Sequence, residues 1–139
     1  MPDLNIGLIG NCQISALIDT DATVVWGCLP QFDSDPAFCR LLRREDESDL
    51  PGVFDIELID QVSSEQVYVQ NTAILTTTLT DAHGGRVQIT DVAPRYEHLG
   101  RIFAPVMLLR RVRAIHGSPR IRIRLRPAIN YGAEHAPFT

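Results

Sequence analysis

The chain has 139 residues, 45% of them hydrophobic and 22% charged, with a formal net charge of −4 at pH 7. This length and composition are typical of one globular domain with a substantial core. The negative charge argues against a generic nucleic-acid binder, because nonspecific affinity for nucleic acid comes from excess positive charge.

The N-terminus shows no basic segment followed by an apolar run, as a signal peptide would have. No apolar stretch approaches the roughly 18 residues that a membrane span needs. The three cysteines (Cys12, Cys28 and Cys39) are odd in number and follow no metal-binding spacing. We therefore expect a reduced, cytoplasmic protein that binds no membrane, no metal and no cofactor.

Gly7 and Gly10 follow an apolar start and could indicate a phosphate-binding loop. They form G-x-x-G, whereas the dinucleotide motif is G-x-G-x-x-G between a strand and a helix. The following residues instead predict a hairpin that joins 11–18 to 23–29 around the turn "IDTDAT". The sequence therefore predicts no nucleotide site here, and this register predicts no disulfide between Cys12 and Cys28.

One short helix is predicted after this hairpin. Asp35 is suited to be its N-cap and Pro36 its first residue. Phe38, Leu41 and Leu42 would then share its buried face, and the charged segment 44–49 would end it.

The rest of the chain alternates between apolar and polar residues with a period of two, which predicts strands. Residues 53–60 form one such strand, and 67–80 and 86–92 form a hairpin around "DAHGG". A further hairpin is expected to pair 105–115 with 120–126 around "HGSP", and 130–139 shows no periodicity. About eight strands with one short helix predict an all-β fold, an antiparallel β-sandwich.

A row of arginines lies on one face of the last predicted strand, with Ile121, Ile123 and Leu125 on the other face. The candidate docking arginines on this strand and its expected hairpin partner are Arg110, Arg113, Arg120, Arg122, Arg124 and Arg126. They could form a solvated face balanced by acids such as Asp55 and Glu57. They could instead dock an acidic protein surface. Nucleic acid is disfavoured because the segment has no interleaved aromatic residues.

The loop at 26–36 combines aromatic and acidic residues. Its candidate substrate-side residues are Trp26, Pro30, Phe32, Asp33 and Asp35. Rings that stack on sugar C–H faces and carboxylates that accept hydroxyl hydrogen bonds are typical of carbohydrate sites. Alternatively, Trp26 belongs to the core and the acids cap the turn and the helix. A calcium loop is excluded, because its sixth and twelfth positions would be Phe38 and Arg44 rather than Gly and Glu.

The four histidines are scattered singly, and the sequence contains no zinc, redox or nucleophile-elbow motif. Nothing in the sequence indicates a self-contained active site.

Three ordered blocks carry a resemblance: residues 6–42, 71–96 and 108–132. The first block is the most specific, through Gly10, Asn11, Ala16, Leu17, Ile18, Trp26, Pro30, Phe32, Asp33, Ser34 and Phe38. Over about residues 4–132 the chain resembles the N-terminal region of bacterial glycoside hydrolase family 15 proteins, the glucoamylases and trehalases. The resemblance implies a β-sandwich of the large type, with 133–139 starting a linker toward an (α/α)6 barrel.

In that family the barrel carries the chemistry, in which two glutamates hydrolyse an α-glucosidic bond with inversion. No segment here resembles the barrel, so the resemblance implies no catalytic residue in this chain. Gln31 departs from the family, which usually has Arg at that position.

We therefore predict a non-catalytic domain that docks on its own C-terminal catalytic domain, whose substrate is an α-glucoside such as trehalose or a maltooligosaccharide. A stand-alone carbohydrate-binding module is the alternative, and an isolated enzyme using Asp33 or Asp35 is a third hypothesis. An uncovered docking surface also predicts that the isolated domain can form homo-oligomers.

Overall fold

The computed structural model describes residues 4–47 and 49–137. These residues form fourteen strands and three short 3-10 turns, at Arg40–Leu42, Glu45–Glu47 and Asn130–Gly132, and contain no α-helix. All strand pairs are antiparallel. The predicted all-β sandwich is confirmed.

The first sheet is built mainly from the N-terminal strands. It contains β1 (Ile6–Gly10), β2 (Ser15–Asp19), β3 (Val24–Cys28), β4 (Pro36–Phe38), β5 (Val53–Leu58) and β12 (Ile121–Arg126). Its order is β1-β2-β3-β5-β12, with β4 paired to β3. Strand β12 is therefore an edge strand although it comes late in the chain.

The second sheet contains β6 (Gln61–Tyr68), β7 (Leu75–Asp81), β8 (Arg86–Val92) and β11 (Leu109–His116), in the order β11-β8-β7-β6. Two small ribbons lie outside the sheets. One pairs β9 (Tyr96–His98) with β10 (Arg101–Phe103), and the other pairs β13 (Ala128–Ile129) with β14 (Glu134–His135).

The core lies between the two sheets, because alternate residues of each strand face inward. One cluster joins Ile9, Ala16, Ile18, Val24 and Phe38 of the first sheet to Leu75 of the second. A second cluster joins Ala22, Ile56 and Leu58 to Leu79, Val87 and Ile89. The period-two pattern of the sequence therefore marks the buried faces.

Aspartates close two of the predicted hairpins. Asp19 Oδ1 accepts the backbone N–H groups of Asp21 and Thr23 at 3.0 and 2.8 Å, which closes the turn between β2 and β3. Asp81 Oδ1 accepts those of His83 and Gly85, both at 2.8 Å, at the turn between β7 and β8. An aspartate that bonds the backbone two residues on is a turn-forming element, and both turns are confirmed.

The predicted helix is wrong. Pro36–Phe38 is strand β4, in which Phe38 pairs with Gly27, and only a 3-10 turn follows it. Phe38 is 5% exposed, whereas Leu41 and Leu42 are 39% and 61% exposed, so these three residues share no buried face. Burial of one aromatic ring between the sheets outweighs a local capping signal. Residues 67–80 are also divided, because a turn separates Tyr68 from Leu75.

The predicted hairpin between 105–115 and 120–126 is also wrong. Strand β11 pairs with β8 in the second sheet, and β12 pairs with β5 in the first, so the chain crosses between sheets at 117–120. A hairpin would bring arginines opposite arginines, which is destabilising. The observed register instead sets Arg110 opposite Asp91 and Arg124 opposite Asp55.

Candidate functional site

Arg120 and the three arginines of β12 each face a carboxylate. The ion pairs are Arg120–Asp60 at 3.9 Å, Arg122–Glu57 at 3.3 Å, Arg124–Asp55, and Arg126–Asp49 at 3.9 Å. Only the Arg124–Asp55 pair is substantially buried, and exposed pairs contribute little stability. This face therefore carries little unpaired positive charge with which to attract an acidic partner.

Arg110 does not belong to a docking face, which corrects the sequence prediction. Its side chain is 2% exposed, and its Nε lies 2.7 Å from Oδ1 of Asp91, which is fully buried. The guanidinium also donates to the carbonyls of Ala22 and Phe54 and lies 4.7 Å from the Phe54 ring centroid. Arg110 therefore joins the two sheets from inside. Arg113 is exposed on the other sheet, away from β12, with Gln88 Oε1 3.4 Å away.

Asp91 has a perturbed titration. Burial raises the pKa of its carboxyl, and the neighbouring Arg110 guanidinium opposes this effect without cancelling it. The pair is a structural connection between the sheets rather than a group that solvent or substrate can reach.

The opposite face of β12 is apolar and only partly covered. Ile121, Ile123 and Leu125 are 37%, 54% and 48% exposed. They lie opposite Leu58, Ile56 and Phe54 of β5, two of which are fully buried. Residues directly opposite in a sheet share a face, so this is an extension of the core surface that the second sheet does not cover.

The 26–36 loop connects β3 to β4 at the surface. Ser34 N–H donates to the Gln31 carbonyl at 3.1 Å, and Gln31 N–H donates to Ser34 Oγ at 3.2 Å, so Gln31 and Ser34 close the tip. Phe32 is 65% exposed, and Pro30, Asp33 and Asp35 are also exposed. Trp26 is half-buried on β3. In the described part of the chain, Asp33 and Asp35 have no arginine or histidine within ion-pair distance.

Tyr131 joins this loop from the turn between β13 and β14, in a segment whose sequence shows no periodicity. A hydrogen bond to the Asp35 carboxylate raises the pKa of the Tyr131 phenol. Nearby, burial raises the pKa of the Cys28 thiol, opposed by a hydrogen bond from the Trp26 side chain. These interactions link Tyr131 to Asp35 and Trp26 to Cys28.

The backbone that carries Tyr131 is strained. Asn130 and Tyr131 have φ values of 52° and 56°, in the left-handed region that non-glycine residues seldom occupy. Such a conformation costs about 1–3 kcal/mol and persists only where the surrounding structure holds it. Arg43 Nη2 helps to hold the turn by donating to the carbonyls of Gly132 and Pro51. Because the Tyr131 side chain is 64% exposed, burial does not offset this cost.

The exposed rings and carboxylates can stack on and hydrogen-bond to a neutral polyhydroxylated ligand. Among residues 4–47 and 49–137, no group of three His, Cys, Asp or Glu side chains is arranged to hold a metal ion. The same residues contain no helix long and apolar enough to cross a bilayer.

A family model described as "Trehalase-like, N-terminal" matches residues 4–138. The chain belongs to the trehalase-like N-terminal family. A trehalase of Thermoplasma volcanium is 29% identical to it over 128 residues, which cover 92% of this chain and 20% of that enzyme. The chain thus spans about a fifth of the length of this relative. No solved structure matches it significantly.

Family membership confirms the resemblance to trehalase-like N-terminal domains that the three sequence blocks indicated. Two of the blocks include features that the structure now describes. The first contains the 26–36 loop, and the third ends at the strained turn of Tyr131.

Proposed function

We propose that this chain is the non-catalytic N-terminal domain of a longer glycoside hydrolase of family 15, of the glucoamylase or trehalase type. The longer enzyme cleaves α-glucosidic bonds with inversion, through carboxylates that lie beyond residue 139. We place it in the cytoplasm, because three free cysteines suit a reducing compartment.

The observation that carries this proposal is the family match over residues 4–138 of a chain that spans only 20% of a trehalase. The remaining length of such an enzyme is ample for a separate catalytic domain. In this account the sandwich supports the catalytic domain, and the substrate is trehalose, a maltooligosaccharide or another α-glucoside.

The uncovered apolar face of β12 supports docking on further polypeptide. Fully burying a large aliphatic side chain contributes about 1.5–3 kcal/mol. Covering the exposed half of Ile121, Ile123 and Leu125 would therefore contribute roughly 2–4 kcal/mol in total. The arginines behind this face act within the sheet, so the contact is apolar rather than ionic.

We also propose that the 26–36 loop lies beside the substrate of the longer enzyme. Its support is the exposure of the Phe32 ring and of the Asp33 and Asp35 carboxylates. The exposed Tyr131, whose left-handed backbone is not compensated by burial of its side chain, adds to this support. Gln31 closes the tip of the loop through its backbone, so the loop keeps its shape without an arginine at that position.

The source DNA tests the proposal most simply. We expect the reading frame to continue for several hundred codons past Thr139, with helical periodicity and two well-separated loops that carry glutamates. A stop codon soon after Thr139 would refute it.

A stand-alone carbohydrate-binding module is the second candidate, favoured by the exposure of Phe32 and Tyr131. Trp26 is the chain's one tryptophan, so its fluorescence reports on this site alone. A saturable fluorescence change with trehalose or maltose, and none with an unrelated sugar such as cellobiose, would favour the module. No response would leave docking as the role. Light scattering in the same samples shows whether the β12 face is instead covered by a second copy.

A further inference from the structure

The β9–β10 ribbon, with its turn at Leu99 and Gly100, forms an apolar projection from the sandwich. Its exposed apolar residues, together with those just after it, are Tyr96 at 53%, Leu99 at 88%, Ile102 at 65%, Phe103 at 41%, Val106 at 49% and Met107 at 44%. Tyr96 and Phe103 are stacked across the ribbon, with ring centroids 5.7 Å apart. Tyr96 and Phe103 share one face of the ribbon and Ile102 lies on the other, opposite Glu97. We call these six residues, on both faces of the ribbon and just after it, the ribbon patch.

The base of the ribbon is held by a buried side chain. Asn11 is 2% exposed, and its Nδ2 donates to the carbonyls of Pro94 and Pro105 at 3.0 and 2.8 Å. These two prolines bracket the ribbon, so one amide group joins both of its ends. Asn11 Oδ1 accepts the backbone N–H groups of Gln13 and Ile14, both at 3.0 Å, which fixes the amide in turn.

A second contact holds the same base. Arg95 Nη1 lies 3.0 Å from the sulfur of Cys12, the residue next to Asn11. A two-stranded ribbon with three residues in each strand is marginally stable by itself. The fold nevertheless fixes its base with a buried polar group, while its apolar side chains remain outside both core clusters. Contacts among the residues that the structure describes therefore do not explain why the ribbon is apolar.

We propose that the ribbon patch docks into an apolar groove on the catalytic part of the same polypeptide, beyond residue 139. This inference rests on the proposed function, because it requires that part to exist. Asn11 is then a positioning residue, which sets the direction in which the ribbon projects.

The size of the patch favours a tethered partner over a second copy or a separate protein. A stable interface between separate chains buries about 800 Å² per partner, over some 20–30 residues. Six residues are too few for that. A tethered domain needs a smaller contact, because the linker supplies a high effective concentration. A net charge of −4 also disfavours an anionic membrane surface as the partner.

Site-specific photo-crosslinking in the longer protein tests this proposal. A benzophenone amino acid replaces Leu99, and in a control it replaces Val62, which is 64% exposed on β6. We expect position 99 to form crosslinks within one molecule, to peptides beyond residue 139, at least fivefold more often than position 62. Crosslinked dimers, equal yields at the two positions, or crosslinks only within residues 1–139 would overturn the proposal.

A second measurement uses Leu99→Asp with Val62→Asp as its matched control. We expect Leu99→Asp alone to lower the melting temperature of the longer protein by several degrees, because it places a charge in the groove. Equal shifts would again count against the inference. If the longer protein cleaves α-glucosides but the crosslinks map elsewhere, docking fails and the proposed function stands. If the crosslinks map beyond residue 139 but no α-glucoside is cleaved, docking stands and the proposed function fails.

Discussion

Replacing Arg110 with leucine should remove much of the stability of this domain. The change leaves Asp91 fully buried without its partner, and breaking a buried pair from one side costs about 3–5 kcal/mol. It also removes hydrogen bonds to the carbonyls of Ala22 and Phe54, each worth about 1 kcal/mol. We therefore expect a loss of about 5–7 kcal/mol. A domain of this size has a total of roughly 7–20 kcal/mol.

Urea unfolding, followed by Trp26 fluorescence, measures this loss as a lower midpoint at unchanged slope. The double variant Arg110→Leu, Asp91→Leu is the control. Replacing both members of a buried pair with apolar residues is often nearly neutral, so the double variant should recover at least 2 kcal/mol. A single-variant loss below about 1 kcal/mol, or additive effects of the two changes, would refute the argument that Arg110 compensates a buried charge.

The same variant should depend on pH in a defined direction. Burial raises the pKa of Asp91 in the folded protein. A carboxyl whose pKa is higher in the folded than in the unfolded protein contributes fully to the stability of the fold at pH values below its pKa in the unfolded state. This contribution is lost as the pH rises through its pKa in the folded state. Without Arg110 the folded pKa rises further. The destabilisation by Arg110→Leu should therefore be smaller at pH 4 than at pH 7, and a larger loss at pH 4 would contradict this reasoning.

Three further predictions concern other side chains of the domain. Burial raises the pKa of the Asp19 carboxyl, although its two backbone hydrogen bonds lower it. The variant Asp19→Asn keeps the accepting oxygen without the charge, so it should raise the free energy of unfolding at pH 7 but not at pH 3. Urea titrations of both proteins at the two pH values would measure this difference. Asn11→Ala removes four hydrogen bonds of roughly 1 kcal/mol each, so it should cost about 4 kcal/mol. It should also speed hydrogen exchange in residues 96–103, and unchanged exchange there would show that Asn11 does not hold the ribbon. In the longer enzyme, Trp26→Ala and Asp33→Ala should each lower kcat/KM about tenfold, while circular dichroism shows that the fold is intact. If the variants simply unfold, the loop belongs to the core and does not contact substrate.

The sequence was informative where structure depends on neighbouring residues. Alternation identified β5 and β8, and Asp19 and Asp81 closed the turns whose composition had marked them. The family resemblance was visible in the first block, which contains both Asn11 and the 26–36 loop. The resemblance could not show what Asn11 or the loop does, because the role of each depends on contacts with distant segments of the chain.

The errors share one physical cause, which is pairing between residues far apart in the chain. Asp35 and Pro36 form a good helix start, but Phe38 is buried against the ring of Phe54, and the segment becomes a strand. Arg110 looked like a surface residue because its neighbours in sequence are arginines. Its position inside the sandwich depends on Asp91, nineteen residues away.

Tyr131 was absent from the predicted site residues for the same reason. Its tail shows no periodicity, and its importance comes from a backbone conformation and a contact with Asp35 that only the folded chain displays.

The most direct test of the central claim is to compare hydrolysis of trehalose and maltose by the 139-residue chain with hydrolysis by the product of the complete reading frame. Proton NMR should detect the anomer of glucose that is released first. The account predicts no hydrolysis by the chain alone, and hydrolysis with inversion by the longer protein, which releases β-glucose. Hydrolysis by the 139-residue chain itself, or a complete product that cleaves no α-glucoside, would contradict it.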